Sequence, residues 1–184
     1  VEWARSQPRS LKGIDLTSRA VSHTTKRIGV YRLASDICQG DAEDLPFAND
    51  SFDIVYSWGV LHHSPDTQRA INEVFRVLRR GGVARIMIYH KYALTGYMLW
   101  MRYGLMSGKP FRRLSEIYAT YLESPGTKAY SLRGASVMLR EFSEVTMRRQ
   151  LCIGDLLQGE AGQRYHGGAL AIAKLIWPRW LFKR

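Results

Sequence analysis

GDAEDLPFANDSFDIVYSWGVLHH, residues 40–63, gives the clearest indication of the fold class. Three acids fall within four residues near its start, a turn follows, and an apolar run then ends in two histidines. The run from Phe52 to Trp58 is rich in β-branched and aromatic residues and almost continuously apolar, which is typical of a strand buried in a parallel sheet. The segment therefore predicts an acidic loop, a core strand and polar groups at that strand's carboxyl end.

Three further segments predict strands around this one. LKGIDL (residues 11–16) and DICQGD (36–41) are short apolar runs that end in an acid, and VARIMIYH (83–90) follows the opening segment. Together with two intervening helices they give the order β-α-β-β-α-β over residues 11–90. This order predicts an α/β fold with an open, mainly parallel sheet, in which ligands bind beyond the carboxyl ends of the strands.

The two helices have capping signals at their ends. Thr17 or Ser18 can begin the first helix, which we expect to run to about Arg32. Ser64 or Asp66 can begin the second, which has apolar residues at helical spacing. Its C-terminal end is predicted from two cations and a glycine C-cap: Arg79, Arg80 and Gly81.

The second half of the chain has a different pattern. We expect amphipathic helices in TGYMLWMRYGLM (95–106), FRRLSEIYATYLES (111–124) and LRGASVMLREF (132–142). EVTMRRQLCI (144–153) alternates between apolar and polar residues and predicts a strand. The tail GGALAIAKLIWPRWLFKR (167–184) predicts a short apolar helix that ends at a proline.

Composition restricts the class of protein. The 184 residues suffice for one globular domain, and no apolar stretch is long enough for a membrane span. Cys38 and Cys152 are far apart and have no metal-ligand spacing, which indicates a reducing, cytoplasmic protein. The net charge of +11, with most cations from Lys91 onward, favours an anionic partner such as nucleic acid, a membrane surface or a phosphorylated substrate. A solvated basic surface explains the charge equally well.

Acids that follow strands are candidate nucleotide ligands. Asp15 can accept hydrogen bonds from both ribose hydroxyls of a nucleotide cofactor. Asp41 can accept from an adenine amine, while the backbone of Ala42 reads the ring edge. A cap or a turn is the alternative explanation for each acid. Glu43 and Asp44 are expected to face solvent.

Several of these motifs in their order resemble one enzyme family. GIDLT, the opening segment, INEVFRVLRRGG and ARIMIYHK resemble the class I S-adenosyl-L-methionine-dependent methyltransferases, in particular the small-molecule branch with the ubiquinone and menaquinone C-methyltransferases. The resemblance covers residues 1–92 and implies a Rossmann-like sheet with helices on both faces. Beyond residue 92, the patterns described above predict a mostly helical insertion, a C-terminal strand and a C-terminal helix. One domain over residues 1–184 would then have its cofactor-binding core in 1–92 and a substrate-side extension in 93–184.

The resemblance implies roles for particular residues. Asp15 would bind the ribose hydroxyls of S-adenosylmethionine, and Leu16 would line the adenine that Asp41 and Ala42 bind. The residues that would lie under the methionine moiety are Ser57, Trp58 and Gly59. Those that would lie near the substrate are His62 and His63.

The two histidines allow more than one interpretation. A histidine near neutral pH can act as a catalytic base, and His62 and His63 are the candidates for that role. A structural role, as a helix cap or in packing on the cofactor, is the alternative. No third ligand stands at metal spacing, so we expect no metal. Methyl transfer needs a dedicated base only for a poor nucleophile, since the cofactor's sulfonium is already a strong electrophile.

The sequence departs from the family in one respect. The family's first strand and its glycine-rich cofactor loop should precede GIDLT, whereas VEWARSQPRS (1–10) resembles the end of the helix that follows them. We therefore expect an N-terminally truncated methyltransferase whose sheet lacks its first strand. The predicted strands at 11–16 and 52–58 would each have an edge without a partner, which is costly for buried backbone groups. This chain alone should bind S-adenosylmethionine weakly or not at all.

Other functions are compatible with parts of the pattern. The charge allows a nucleic-acid methyltransferase, Asp15 also fits a nicotinamide-dependent oxidoreductase, and the missing loop allows a non-catalytic binding remnant. LWMRYGL (99–105) and IWPRWLFKR (176–184) combine aromatic residues with cations, as interfacial segments do, which allows a peripheral location at an inner membrane surface. Packing over the substrate site is the alternative for these two segments, and self-association is a further option.

Overall fold

The computed structural model describes residues 1–151. They divide into two units that follow one another along the chain, residues 1–87 and the described residues from Ile88 onward. The tail helix predicted in 167–184 and the interfacial segment predicted in 176–184 lie outside the described residues.

The first unit contains the four expected strands. β1 (Lys12–Asp15) pairs with β2 (Asp36–Gln39), and β3 (Phe52–Trp58) pairs with β4 (Leu78–Met87), in both cases in parallel. Within residues 1–151 the strands form two separate two-stranded sheets. One edge of β1 and one edge of β3 therefore have no strand partner in the described chain, as the sequence predicted.

The helices of the first unit are α1 (Glu2–Arg5), α2 (Ser18–Val30) and α3 (Thr67–Val77). The structure selects one cap from each predicted pair. The hydroxyl of Thr17 accepts the backbone N–H of Ala20 at 3.2 Å, and the carboxylate of Asp66 accepts that of Arg69 at 3.0 Å. A short 3-10 helix, Leu61–His63, joins β3 to α3.

The predicted C-terminal end of α3 is wrong. Arg79, Arg80 and Gly81 belong to β4, and the helix already ends at Val77. The backbone N–H of Ser51, directly before β3, donates to the carbonyl of Val77 at 2.8 Å. The chain therefore begins to pair with β3 immediately after Val77, at Leu78. Gly81 has a φ of +76° and lies where the register between β3 and β4 shifts. Phe52 pairs with Leu78, whereas Ile54 pairs with Val83.

β3 is less buried than its apolar sequence predicts. Ile54 and Trp58 are 52% and 54% exposed, and Tyr56 between them is also exposed. These three side chains alternate along the strand and share one face. The indole of Trp3 from α1 lies 5.2 Å from the ring of Tyr56 and covers only part of that face. The buried core of the unit lies instead on α3 and beside it, at Leu61, Ala70, Ile71, Val74 and Val77.

A single arginine of α3 binds the loop between β2 and β3. The guanidinium of Arg76 donates to the carbonyls of Leu45 at 2.9 Å and Phe47 at 2.7 Å, and to the side-chain oxygen of Asn49 at 2.9 Å. It also forms two hydrogen bonds to the carboxylate of Glu73, which in turn accepts the N–H of Leu45 at 2.7 Å. The acidic loop is thereby attached to the helix along most of its length.

The same contacts set the protonation state of Glu73. The hydrogen bonds from Arg76 lower the pKa of this carboxyl from its ordinary value of 4.5, and the N–H of Leu45 acts in the same direction. Partial burial opposes the shift, but it is the smaller effect. The pKa of Arg76 is raised by the same hydrogen bond, so both groups are charged at neutral pH.

The second unit is helical. It contains α4 (Leu94–Tyr103), α5 (Leu114–Tyr121) and α6 (Leu132–Met138), each somewhat shorter than predicted, and a 3-10 turn at Leu105–Ser107. No helix within the described residues is long and apolar enough to cross a bilayer.

Tyr118 holds α4 and α5 together. Its buried hydroxyl donates to the carbonyl of Lys91 at 2.8 Å. A Cβ at Gly96 would lie 1.7 Å from that hydroxyl oxygen, so only glycine allows the close approach.

The predicted strand at 144–153 is wrong over the part that the structure describes. Residues 144–151 have no regular secondary structure. Val145 and Met147 lie on the expected apolar face but are 40% and 39% exposed. Alternation alone does not produce a strand when no neighbouring strand pairs with it, and residues 1–151 supply none here.

We expect Arg76→Met to lower the free energy of unfolding by roughly 2 to 3 kcal/mol, because it leaves a part-buried carboxylate and several carbonyls without their donor. Chemical denaturation measures the change. The control Arg80→Met removes an exposed cation of β4 and should stay within about 0.5 kcal/mol of the unmodified chain. Equal effects of the two changes would contradict the role of Arg76.

The lowered pKa of Glu73 predicts a dependence of stability on pH. A carboxyl whose pKa is depressed in the folded state stabilises it above the unfolded pKa, about 4.5, and loses this contribution as the pH falls through the lowered value. Denaturation at a series of pH values should show the stability gap between the unmodified chain and Glu73→Gln narrowing in acid. A gap that is constant with pH would show that Glu73 carries no such linkage.

Candidate functional site

The first group of predicted ligands lies at the carboxyl ends of β1 and β2. Asp15 pairs in register with Gln39, and the N–H of Gly40 donates to the carbonyl of Asp15 at 3.0 Å. The side-chain amide of Gln39 donates to the carbonyl of Leu16 at 2.9 Å. The structure therefore brings Asp15 and Leu16 beside the start of the acidic loop, where Asp41 and Ala42 lie.

Both carboxylates have a local role as well. One oxygen of Asp15 accepts the N–H and the hydroxyl of Thr17 at 2.9 and 3.0 Å, and one oxygen of Asp41 accepts the N–H of Glu43 at 2.9 Å. These are the cap and turn contacts that the sequence allowed as alternatives. The second oxygen of each carboxylate accepts no hydrogen bond within residues 1–151, and both side chains are exposed. A ligand can therefore reach both acids without breaking these turns.

Glu43 does not face solvent as predicted. Its carboxylate accepts the hydroxyl of Ser64 and the N–H of Asp66, both at 2.6 Å, and its carbonyl accepts the guanidinium N–H of Arg69 at 2.8 Å. An anion at the start of α3 is stabilised by the free N–H groups of the first turn. Glu43 therefore fixes the position of the loop, while its neighbour Asp41 stays exposed at the strand end.

The second group of predicted ligands lies at the carboxyl end of β3. Ser57 and Trp58 pair with Ile86 and Met87, and the N–H of Gly59 donates to the carbonyl of Met87 at 3.2 Å. The hydroxyl oxygen of Ser57 is buried and has no hydrogen-bond partner within residues 1–151. Trp58 is half exposed and its ring is parallel to that of Tyr56. This end of the strand thus offers a polar group and an aromatic face.

Gly59 has a backbone conformation that favours glycine. Its φ is +74°, and a Cβ built there would lie 3.3 Å from the methyl carbon of Met87. The chain can therefore turn sharply out of the sheet at this point and lead into the 3-10 helix.

The two histidines form this 3-10 helix with Leu61. Their rings are 4.3 Å apart and tilted by 42°, and the N–H of His63 donates to the carbonyl of Val60 at 2.9 Å. The side chain of His62 is fully buried, whereas that of His63 is partly exposed. Of the two candidate bases, His63 is the one that a substrate can reach, and His62 fits the structural alternative.

The two groups of predicted ligands belong to separate sheets. Asp15, Leu16, Asp41 and Ala42 lie at the β1–β2 pair, and Ser57, Trp58 and Gly59 at the β3–β4 pair. Within residues 1–151 no strand joins the two pairs. The structure therefore places the first group relative to β1 and β2, and the second group relative to β3 and β4.

The sequence interpretation missed the groups that hold the site in place. Arg76, Glu73 and Gln39 contact the loop and the strand ends, but none was a candidate. The spacing of Glu73 and Arg76, three residues apart on a helix, did signal an ion pair. No sequence pattern indicated that the pair binds a loop about 30 residues earlier in the chain.

Comparison with known proteins relates the first unit to one family and one fold. Residues 1–86 match the family described as "Methyltransferase domain". The YcgJ protein from Bacillus subtilis has the same fold, with a TM-score of 0.56 and 24% sequence identity over 72% of this chain and 51% of that chain. Residues 1–86 are thus similar to methyltransferase domains, and the predicted α/β fold is confirmed.

Two curated relatives have methyltransferase names. The chain is 58% identical over 48 residues to 2-methyl-6-phytyl-1,4-hydroquinone methyltransferase 2, chloroplastic, from Oryza sativa subsp. japonica, covering 26% of this chain and 14% of that protein. It is 34% identical over 109 residues to phthiotriol/phenolphthiotriol dimycocerosates methyltransferase 1 from Mycobacterium ulcerans, covering 59% of this chain and 38% of that protein. The chain therefore spans less than half the length of these relatives.

We expect Gly59→Ala to lower the free energy of unfolding by about 1 to 2 kcal/mol, because alanine at positive φ is strained and its methyl group meets Met87. The matched change Gly29→Ala in α2 meets no atom within 4 Å and should raise stability by roughly 0.5 to 1 kcal/mol. Thermal unfolding of both variants measures the opposite signs. Stabilisation by Gly59→Ala would contradict the backbone requirement at this turn.

Proposed function

We propose that this chain is part of an enzyme that transfers a methyl group from S-adenosylmethionine to a small-molecule acceptor. The observation that carries the proposal is the placement of Asp15 and Asp41. Within the region that matches the methyltransferase domain, the two acids end neighbouring parallel strands, and each keeps one carboxylate oxygen available.

The residues present fit an adenosyl group. Asp15 would hold the ribose hydroxyls and Leu16, which is 66% exposed, would offer an apolar surface to the adenine. Asp41 and Ala42 would hold the adenine edge. The residues that would lie beside the methionine part are Ser57, Trp58 and Gly59. When bound, the cofactor supplies a methyl group on a strongly electrophilic sulfonium.

The task of the protein is then to position the acceptor and to exclude water. Where the acceptor is a hydroxyl, a proton must also leave it, and His63 is the partly exposed group of this edge that can accept one. The buried hydroxyl of Ser57 supplies a hydrogen-bond donor and acceptor at the same strand end.

The names of the relatives support a particular class of acceptor. One name denotes a hydroquinone with a phytyl group and the other denotes a triol within a dimycocerosate. We propose a hydroxyl-bearing acceptor with a lipid-like part for this chain as well. The relatives extend well beyond the matched regions, so residues 93–184 are proposed to contribute to the substrate side only as part of a larger site.

We also propose that the cofactor site is completed by a strand and a glycine-rich loop that the described residues do not supply. The division of the four strands into two sheets supports this, since β1 and β3 each have an open edge within residues 1–151. A parallel strand between β1 and β3 would satisfy both edges.

Calorimetric titration with S-adenosylmethionine tests the completed site. We expect residues 1–184 alone to bind more weakly than micromolar, and the same chain extended through its upstream coding sequence to bind in the micromolar range. Micromolar binding by residues 1–184 alone would contradict the proposal of an incomplete site.

Substitutions in the extended chain, which we expect to bind S-adenosylmethionine, test which acids contact it. Asp15→Asn or Asp41→Asn should weaken binding about tenfold, because a charge-assisted hydrogen bond is lost. The control Asp36→Asn lies at the opposite end of β2, where the carboxylate pairs with Lys12, and should leave binding unchanged. Transfer of labelled methyl groups to a hydroquinone then tests the reaction, and its absence from every hydroxylated acceptor would refute the proposed class.

A further inference from the structure

Residues 97–113 of the second unit form a segment with an unusual surface, here called the basic tip. It comprises the last two turns of α4, the 3-10 turn and the loop that leads into α5. Phe111 is 97% exposed and Met106 is 78% exposed, which is rare for such large apolar side chains. The other large apolar residues that the basic tip exposes by about half are Tyr97, Met101 and Leu105.

The backbone of the basic tip is ordered by its own hydrogen bonds. The N–H of Lys109 donates to the carbonyl of Gly104 at 2.8 Å, and the N–H of Arg112 donates to the carbonyl of Lys109 at 3.1 Å. Gly108, at φ +68°, closes the turn between them. Exposure of Leu105, Met106 and Phe111 therefore belongs to a folded turn.

The charge of the basic tip has one sign. It contains Arg102, Lys109, Arg112 and Arg113, and the sequence has no acidic residue between Glu73 and Glu116. The segment that forms the basic tip therefore contributes cations and no acids to this surface. The cations favour an anionic partner. The exposed apolar side chains of the same segment favour a partner that also has an apolar part.

Stacked aromatic rings hold two of these cations in place. The rings of Tyr103 and Tyr121 are parallel at 3.8 Å, the guanidinium of Arg112 lies 5.1 Å from the Tyr121 ring, and that of Arg102 lies 5.5 Å from the Tyr103 ring. Arg112 also donates to the hydroxyl of Tyr121 at 3.1 Å. The stack connects α4 to α5 and keeps positive charge at the base of the basic tip.

We propose that the basic tip docks on an anionic lipid membrane surface. Phe111, Met106 and Leu105 would enter the boundary between headgroups and acyl chains, and the cations would contact lipid phosphates. The inference does not depend on the proposed methyl transfer, because neither cofactor nor acceptor takes part in it.

The composition of the basic tip favours a membrane over the other anionic partners. Single-stranded nucleic acid is bound by cations together with aromatic rings that are free to stack with bases. Here Tyr103 and Tyr121 already stack on each other. Phe111 and Tyr97 are exposed rings, but the exposed side chains of Met101, Leu105 and Met106 offer no flat face to a base. Aliphatic and thioether groups beside lysine and arginine are typical of an interfacial segment.

Flotation of the full 184-residue chain with lipid vesicles tests the proposal. We expect the chain to float with vesicles of phosphatidylcholine and phosphatidylglycerol in equal parts, and at least about tenfold more weakly with phosphatidylcholine alone. High salt should weaken the binding, since exposed charges are screened. A chain that fails to float with the anionic vesicles would overturn the proposal. So would binding to single-stranded RNA without binding to vesicles, which would establish the nucleic-acid alternative.

Variants separate the two contributions of the basic tip. The double change Met106→Ser and Phe111→Ser should weaken vesicle binding at least about tenfold, because apolar insertion is lost. Lys109→Gln and Arg113→Gln should each weaken it about fivefold and reduce the dependence on salt.

Matched controls lie on α6 of the same unit. Val137, 58% exposed, and Arg133 stand outside the basic tip, so Val137→Ser and Arg133→Gln should leave binding unchanged. Circular dichroism melting verifies that every variant is folded. Unaltered binding by the Met106/Phe111 variant, or an equal loss from the α6 controls, would show that the basic tip is not the membrane contact.

Discussion

The contact between Arg76 and the loop before β3 is the constraint on which the first unit depends. One guanidinium binds carbonyls at Leu45 and Phe47 and the carboxylate of Glu73, and thereby attaches a loop without regular structure to the most buried helix of the unit. Glu43 binds the start of the same helix. Because both ends of α3 are used in this way, the loop has little freedom to move relative to β2 and β3.

This attachment determines what the strand ends can do. The loop begins at Gly40, whose N–H donates to the carbonyl of Asp15, so holding the loop also holds Asp41 near Asp15. Each acid uses one carboxylate oxygen for its own turn and keeps the other exposed. Each acid can therefore stabilise its own turn and still bind a ligand, although the sequence presented these roles as alternatives. What the described chain does not supply is a strand that joins the two sheets.

Sequence patterns located most elements but misjudged those that depend on distant partners. Local rules placed β3 at Phe52–Trp58 and capped both helices, because propensity and capping act within a few residues. The end of α3 was missed because Ser51, far away in sequence, binds the carbonyl of Val77. The strand expected at 144–153 was missed because alternation does not reveal whether a neighbouring strand exists. Glu43 was wrongly predicted to face solvent because its partners, Ser64 and Asp66, lie 21 and 23 residues later in the chain.

The order of motifs in the sequence was enough to predict the α/β fold and to propose Asp15, Asp41 and the Ser57–Gly59 segment as ligands, since these features depend on residue type and spacing along the chain. The roles of individual side chains required the folded arrangement. Burial distinguishes His62 from His63, and the stacked rings of Tyr103 and Tyr121 position Arg102 and Arg112 of the basic tip. Burial and stacking arise from contacts between residues far apart in the chain, and a linear pattern carries no information about which of those contacts form.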